Sequence, residues 1–289
     1  MKVAGFTFIK NAVKYGYPFV EAIQSVLPLV DEMIINLGDS EDETNTVVAA
    51  IPSTKIKTIH SVWDKQLMTG GKVLAAETNK AMEAVPADAD WLFYIQADEI
   101  FHEKDYEVIK QAMIKYKDDS RVDGLLFKYY HFYGSYKYLG DGRSRYPFEI
   151  RIIKNNKNIR SYRDAQGFRF INDDKLQVKL IDAHVYHYGW VKNPVTMFKK
   201  HKAFGNLYNG NSNNSADEEM AFDYSEIDTI SLFEGTHPAV MKELVAAENW
   251  KFTGDVKKKN FKNIKHRFLY FLDKKFGWKP FSYKNYKRV

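Results

Sequence analysis

Two adjacent carboxylates, Asp98 and Glu99, close the most continuously apolar stretch of the chain, Trp91-Leu92-Phe93-Tyr94-Ile95. A buried strand that ends in acids delivers them to the sheet edge where open α/β folds bind ligands. Mg2+ or Mn2+ takes one or two such oxygens and completes its shell with substrate phosphates. A solvated turn after a core strand is the plainer alternative. A second polar cluster, Asn36, Gly38, Asp39, Ser40, Asp42 and Thr44, crowds one strand-to-helix turn. It could hold a nucleoside, or turn backbone N–H groups toward an anion. Taken alone, helix capping by Ser40 or Asp42 is the simpler account. His184 and His187 lie three residues apart, so on a strand at most one of them faces a given site.

The surrounding pattern predicts the elements that would carry these groups. Apolar, β-branched runs predict strands over 3–9, 32–37, 56–62 and 91–95, and helical spacing predicts helices over 17–30 and 73–85. That alternation argues for a mainly parallel sheet with helices on both faces. Further on, strands over 124–133, 148–153 and 179–187 follow without long helices between them, which predicts a mixed sheet. Residues 206–217 are polar and rich in Asn, Gly and Ser, as in a mobile loop. Beyond Pro238 the pattern is helical again. There Phe261, Ile264, Phe268, Phe271, Leu272 and Phe276 form an apolar stripe among lysines.

Composition narrows the chemistry. The 289 residues include no cysteine, which excludes disulfides, thiolate metal sites and cysteine nucleophiles. The formal charge of +6 divides unevenly. Residues 251–289 carry 13 Lys and Arg against 2 acids, or +11, leaving 30 bases and 35 acids, or −5, on the rest. A body of that sign lacks the footprint of a nucleic-acid binder, so no nucleic-acid partner is expected. No apolar run approaches the ~20 residues of a membrane span, and the first ten residues are too soon interrupted for a secretory signal. A soluble, cytoplasmic protein is the expectation.

Three segments together narrow the reading further. Lys10-Asn11 ends the first strand, Gly-x-Ser-x-Asp-x-Thr spans Gly38 to Thr44, and Trp-x-x-x-x-x-Ala-Asp-Glu spans Trp91 to Glu99. In that order and spacing the chain resembles the family 2 glycosyltransferases of bacterial type. The resemblance covers residues 1–105 with specific motifs and 120–200 more loosely. It implies an α/β GT-A (Rossmann-like) fold: a mixed central sheet with helices on both faces and a C-terminal helical extension. The catalytic domain would be residues 1–235, with a nucleotide-sugar half to about 105 and an acceptor half beyond it; 236–289 would be the extension. The implied reaction is a metal-dependent, inverting transfer from a nucleotide-sugar donor to the hydroxyl of a glycan or lipid-linked acceptor, in envelope polysaccharide or lipid-linked glycan synthesis.

The resemblance also implies roles. Lys10, Asn11, Asn36, Gly38, Asp39, Ser40, Lys72 and Gln96 would line the donor. Asp98 and His187 would hold Mn2+ or Mg2+. A sugar hydroxyl is a poor nucleophile, so transfer needs a carboxylate base; Asp164 is the first candidate and Glu149 the second. An ion pair with Arg163 or Arg169 is the alternative for Asp164, and an exposed helix-start position the alternative for Lys72. The run Tyr129-Tyr130-His131-Phe132-Tyr133 could stack on sugar or belong to the core. Gln96 stands where the family has the first Asp of its metal motif, and Glu43 where it has Gly. A non-catalytic nucleotide- or sugar-binding module, or a nucleotidyltransferase, are the competing readings. The basic, amphipathic tail would either dock on the catalytic domain or lie on an anionic membrane at the inner face of the plasma membrane.

Overall fold

The computed structural model describes residues 1–67, 69–209 and 220–289. The strands are β1 (Val3–Ile9), β2 (Glu32–Leu37), β3 (Ile56–His60), β4 (Trp91–Tyr94), β5 (Glu99–Phe101), β6 (Gly124–Tyr133), β7 (Ser135–Gly140), β8 (Phe148–Lys154), β9 (Ile159–Tyr162), β10 (Gly167–Phe170), β11 (Gln177–Trp190), β12 (Ile230–Leu232) and β13 (Lys287–Arg288). The helices are α1 (Phe19–Val26), α2 (Thr44–Ala49), α3 (Lys72–Glu83), α4 (Tyr106–Tyr116), α5 (Pro194–Asn209), α6 (Lys242–Ala246) and α7 (Ile264–Phe276).

The sheet runs β12-β7-β6-β8-β4-β1-β2-β3, with β11 along β6 and carrying β5 and β13. β3, β2, β1 and β4 are parallel. β8 then pairs antiparallel to both β4 and β6, so the sheet is parallel on one side and mixed on the other. This is the GT-A arrangement. The period of two along each strand sorts the core. Val3 and Ile9, Met33, Ile35 and Leu37, and Trp91 and Phe93 pack with α1 and α4 on one face. Ala4 and Phe6, Ile34, and Leu92 and Tyr94 pack with α3 on the other. Helices cover both faces, as a sheet of apolar parallel strands requires.

Several boundaries differ from the sequence pattern. The helix expected over 17–30 is α1 followed by a 3-10 turn at Leu27–Leu29, since Pro28 cannot extend the α-helical ladder. The polar stretch expected as a loop over 206–217 begins inside α5, which runs to Asn209; the rest of that stretch lies outside the described residues. Beyond Pro238 only α6 and α7 are α-helical, separated by irregular chain. The extension does not stand off from the body. Met241 and Trp250 join a core cluster with Phe132, Tyr136 and Tyr188, and β13 pairs with β11 at Gln177 and Val178.

Candidate active site

The chain leaves β1 toward one side of the sheet and enters β4 from the other, so the carboxyl ends of these two neighbours form the topological switch point. A cavity of about 880 Å3 opens there. From β1 it is lined by Lys10 and Asn11, from the turn after β4 by Gln96 and Asp98, from the loop between β9 and β10 by Asp164, and from β11 by His187. Asp39, after β2, joins them. The strand order thus brings together seven residues that the sequence singled out from distant segments.

Asp98 is buried, and its two oxygens face different partners. Oδ2 lies 3.2 Å from the Lys200 ammonium, and Oδ1 lies 3.7 Å from His187 Nε2. Burial alone would raise the Asp98 pKa. The neighbouring lysines, Lys200 first and Lys192 after it, outweigh it and hold the carboxyl at about 2. Burial conversely pushes the Lys200 and Lys192 ammonium groups down; Asp98 opposes this, and Lys200 adds to the shift at Lys192. Gly189 leaves this corner open, because a Cβ there would stand 2.7 Å from both Asp98 Oδ2 and His187 Nε2.

The protons on the two neighbouring imidazoles follow from their partners. β6 and β11 set His131 opposite His187. His131 Nε2 lies 2.7 Å from the Tyr146 carbonyl, which can only accept, so Nε2 carries the hydrogen. Burial holds both imidazoles below their ordinary pKa, hence neutral. His131 Nδ1 is then bare and accepts from His187 Nδ1 at 3.2 Å. That leaves His187 Nε2 without a proton, its lone pair available beside Asp98 Oδ1. His184, three residues earlier, points elsewhere and stacks on Tyr130 at 4.4 Å.

Asp98 and His187 offer two of the donors that a divalent cation takes, with Lys200 as a competitor for the same carboxylate. The carboxylate oxygen and imidazole nitrogen are 3.7 Å apart, within twice the ~2.0–2.1 Å of a Mg2+–oxygen bond. Among the described residues no cluster of three or more His, Cys, Asp or Glu could hold a metal. Such an ion would therefore rely on Asp98, His187 and substrate oxygens.

Glu99, the other carboxylate of the pair, has a different use. It takes two hydrogen bonds of 2.7 Å from Arg151, both side chains being fully buried, and a third of 2.8 Å from Tyr129 Oη. It braces the floor beneath the cavity. Of the aromatic run 129–133, Phe132 and Tyr133 are core. Asp164 is half-buried, on a turn where both flanking residues, Arg163 (φ 56°) and Ala165 (φ 60°), are left-handed. Two such non-glycine residues are costly, and strain of this kind gathers where a side chain must be aimed. Gln96 reaches the same turn, its amide nitrogen 3.4 Å from the Ala165 carbonyl.

The remaining predicted residues lie away from the cavity wall. Asn36 is buried and donates to the Glu77 carboxylate (2.8 Å) and carbonyl (3.1 Å). Ser40 Oγ accepts from Asn11 N at 3.1 Å, Thr44 Oγ1 from Ala12 N at 2.8 Å, and Asp42 from Lys14 N at 2.6 Å. These side chains stitch the turn after β2 to the turn after β1; neither Ser40 nor Asp42 is the residue that precedes α2, which is Glu43. Gly38 lets Lys10 and Trp63 close over it, with a Cβ there only 2.7 Å from Trp63 Nε1. Lys72 is exposed at the start of α3. Glu149, on β8, is buried, and its pKa is raised to about 8, chiefly by burial and further by Glu99 and Asp164, against the lowering effect of Arg151.

The sequence reading missed several residues of the wall. Lys200 and His201 come from α5, Arg145 and Tyr146 from the loop before β8, and Trp63 from the loop after β3. A single lysine or arginine in a basic chain carries no spacing signal. Trp63, between Phe8 at 5.9 Å and the Lys10 ammonium at 5.0 Å, could have been noticed as a lone tryptophan past a strand end.

No protein-family model and no curated protein matches the sequence. Solved structures do. Residues 1–349 of S. aureus TarS in complex with UDP align over 72% of this chain and 65% of that one, at 14% identity and a TM-score of 0.40. Glucosyl-3-phosphoglycerate synthase from Mycobacterium tuberculosis, in complex with Mn2+ and UDP-glucose, aligns over 45% and 44%, at 15% identity and a TM-score of 0.30. At these values the likeness assigns neither activity nor ligand.

Proposed function

We propose that the cavity binds a nucleotide-sugar together with a divalent cation and transfers the sugar, with inversion, to a hydroxyl acceptor. The observation that carries this reading is the pair formed by Asp98 Oδ1 and His187 Nε2, 3.7 Å apart, in the cavity wall at the switch point. Its volume of about 880 Å3 falls within the ~300–1,000 Å3 of ligand pockets. A divalent ion held by Asp98 and His187 would offset the charge that grows on a departing diphosphate. The Lys200 amino group, 3.2 Å from Asp98 Oδ2 and in the cavity wall, is a donor that could face a diphosphate oxygen. Lys10 and Asp39, joined at 2.6 Å, and Trp63 provide a charged edge and a flat ring for the nucleoside.

Asp164 is the base in this reading. It stands in the cavity wall, whereas Glu149 lies behind it and keeps its proton at neutral pH, so it has no lone pair to offer. Envelope or lipid-linked glycans are the acceptors in view. The test is incubation with a panel of nucleotide-sugars, with and without Mn2+, following free nucleotide and transferred sugar. Release that needs both an acceptor and the ion supports the transferase. Tight donor binding with no release, whatever the acceptor, would mark a binding module instead.

A further inference from the structure

The C-terminal extension carries a surface that the proposed reaction does not use. α7 was expected either to bury its apolar stripe on the body or to leave it free, and its orientation is informative. Leu269 is the one residue of α7 that is buried. The helix is held by polar contacts: the Leu269 carbonyl accepts from Arg143 at 3.2 Å, Tyr270 Oη donates to Asp141 at 3.3 Å, and Lys274 pairs with Asp141 at 2.7 Å. Ile264, Phe268 and Phe271 follow the i, i+4, i+7 spacing of one helix face. That face points to solvent. Phe276 closes the helix and Trp278 and Phe281 follow it, and all six residues are between 48% and 88% exposed.

We infer that this face binds the surface of an anionic lipid bilayer. Aromatic and aliphatic side chains interleaved with Lys and Arg are what an interfacial helix presents to headgroups. The charge agrees: residues 251–289 carry +11 while the rest carries −5. A second copy of the chain is a poor occupant, because it would press one +11 segment against another. Among the described residues no helix is long and apolar enough to cross a membrane, so attachment would be peripheral. The extension is also tied to the loop that carries two residues of the cavity lining. Lys279 Nζ donates to the Arg145 carbonyl at 3.0 Å and Arg143 Nη2 to the Pro280 carbonyl, and Arg145 and Tyr146 line the cavity.

The full chain should be sedimented with vesicles of phosphatidylcholine alone and with vesicles containing about one third phosphatidylglycerol, at low and high salt. We expect binding to the anionic vesicles only, weakened at least ~10-fold by salt. The combined variant Ile264→Ser, Phe268→Ser and Phe271→Ser should lose ~10-fold or more of that binding with an unchanged melting temperature, since the three side chains are already exposed. Lys262→Glu with Lys265→Glu provides a second variant that changes charge and keeps the apolar face, and it should bind more weakly as well. A full chain that ignores anionic vesicles at low salt overturns the inference. So does a triple variant that binds undiminished, or a dimer in solution that this variant converts to monomer.

Discussion

Around Asp98 the fold gathers cations, and around Glu149 it gathers carboxylates. Both side chains are buried, and for both burial is the largest influence and raises the pKa. At Asp98 the neighbouring lysines, Lys200 above all, reverse it, to about 2. At Glu149 the nearby Arg151 is already committed to Glu99, and Glu99 and Asp164 push in the same direction as burial, to about 8. The difference separates two kinds of buried acid. One is a permanent charge in the cavity wall, where a cation and an anion can meet. The other is a neutral filler behind the wall, which keeps a negative charge from accumulating beneath Asp164.

Exchanging the bases tests that contrast most severely. Asp164→Asn should cut turnover by ~10²–10⁴-fold, the usual cost of removing a general base, with nucleotide affinity unchanged. Glu149→Gln, isosteric with the protonated acid, should leave turnover within a few-fold. The reverse outcome would exchange their roles. Glu149 has a signature of its own in stability. Its folded pKa lies above the unfolded value, so its contribution is complete below about pH 4.3 and is lost as pH rises toward about 8. Across that window the urea midpoint of the wild type should fall relative to that of Glu149→Gln, by an amount corresponding to a few kcal/mol, the buried imidazoles being common to both. Equal slopes in both proteins would mean that Glu149 is ionised in the folded state at neutral pH.

At the other pole, Asp98→Ala should remove the dependence of nucleotide binding on Mn2+. Loss of a mere supporting partner costs ~10–100-fold in metal affinity, and loss of the carboxylate itself should cost at least as much. Calorimetry with nucleotide diphosphate, with and without the ion, reads it directly. An unchanged affinity in the presence of Mn2+ would remove Asp98 from the metal site, and the pairing of Asp98 with His187 would then be purely structural.

The parallel half of the molecule was more legible than the mixed half, for a physical reason. Where every strand is buried on both faces and a helix must return the chain, apolar runs and helical spacing repeat, and the ends of β1 and β4 can be placed before any coordinates. The strand ends at Asn11 and before Asp98 were placed that way. Asn36 looked the same in sequence, but a side chain at a strand end can turn toward the core as easily as toward the cleft, and this one meets Glu77. Parity showed that His184 and His187 could not both face the cleft, and it applies because β11 keeps its register on β6 between them; which of the two faces it was not in the spacing. Lys200 and Arg145 were invisible. They reach the cavity from a helix and a loop whose placement depends on long-range packing, and basic residues are common throughout this chain. The α7 stripe was seen, but which way it faced was not, since amphipathic spacing is the same for a docked helix and an inverted one.

The finest test of the contrast concerns Lys200, whose ammonium lies 3.2 Å from Asp98 Oδ2 and 2.9 Å from the Gly189 carbonyl. An ammonium ion there competes with a divalent cation for the same carboxylate. Lys200→Met removes the competitor and leaves Asp98 with His187, which is neutral, and with Lys192, which donates to the Gly16 carbonyl. A buried carboxylate deprived of one partner is destabilised and gains more from any cation it can bind. Mn2+ should then bind the nucleotide-free protein ~10-fold more tightly, while nucleotide diphosphate, having lost a cation that faces it, should bind ~10-fold more weakly in the presence of the ion. Opposite signs in the two titrations are the expected result. If Lys200 were only a packing residue, the two affinities would fall together or stay as they were, and its amino group would have no part in holding the donor.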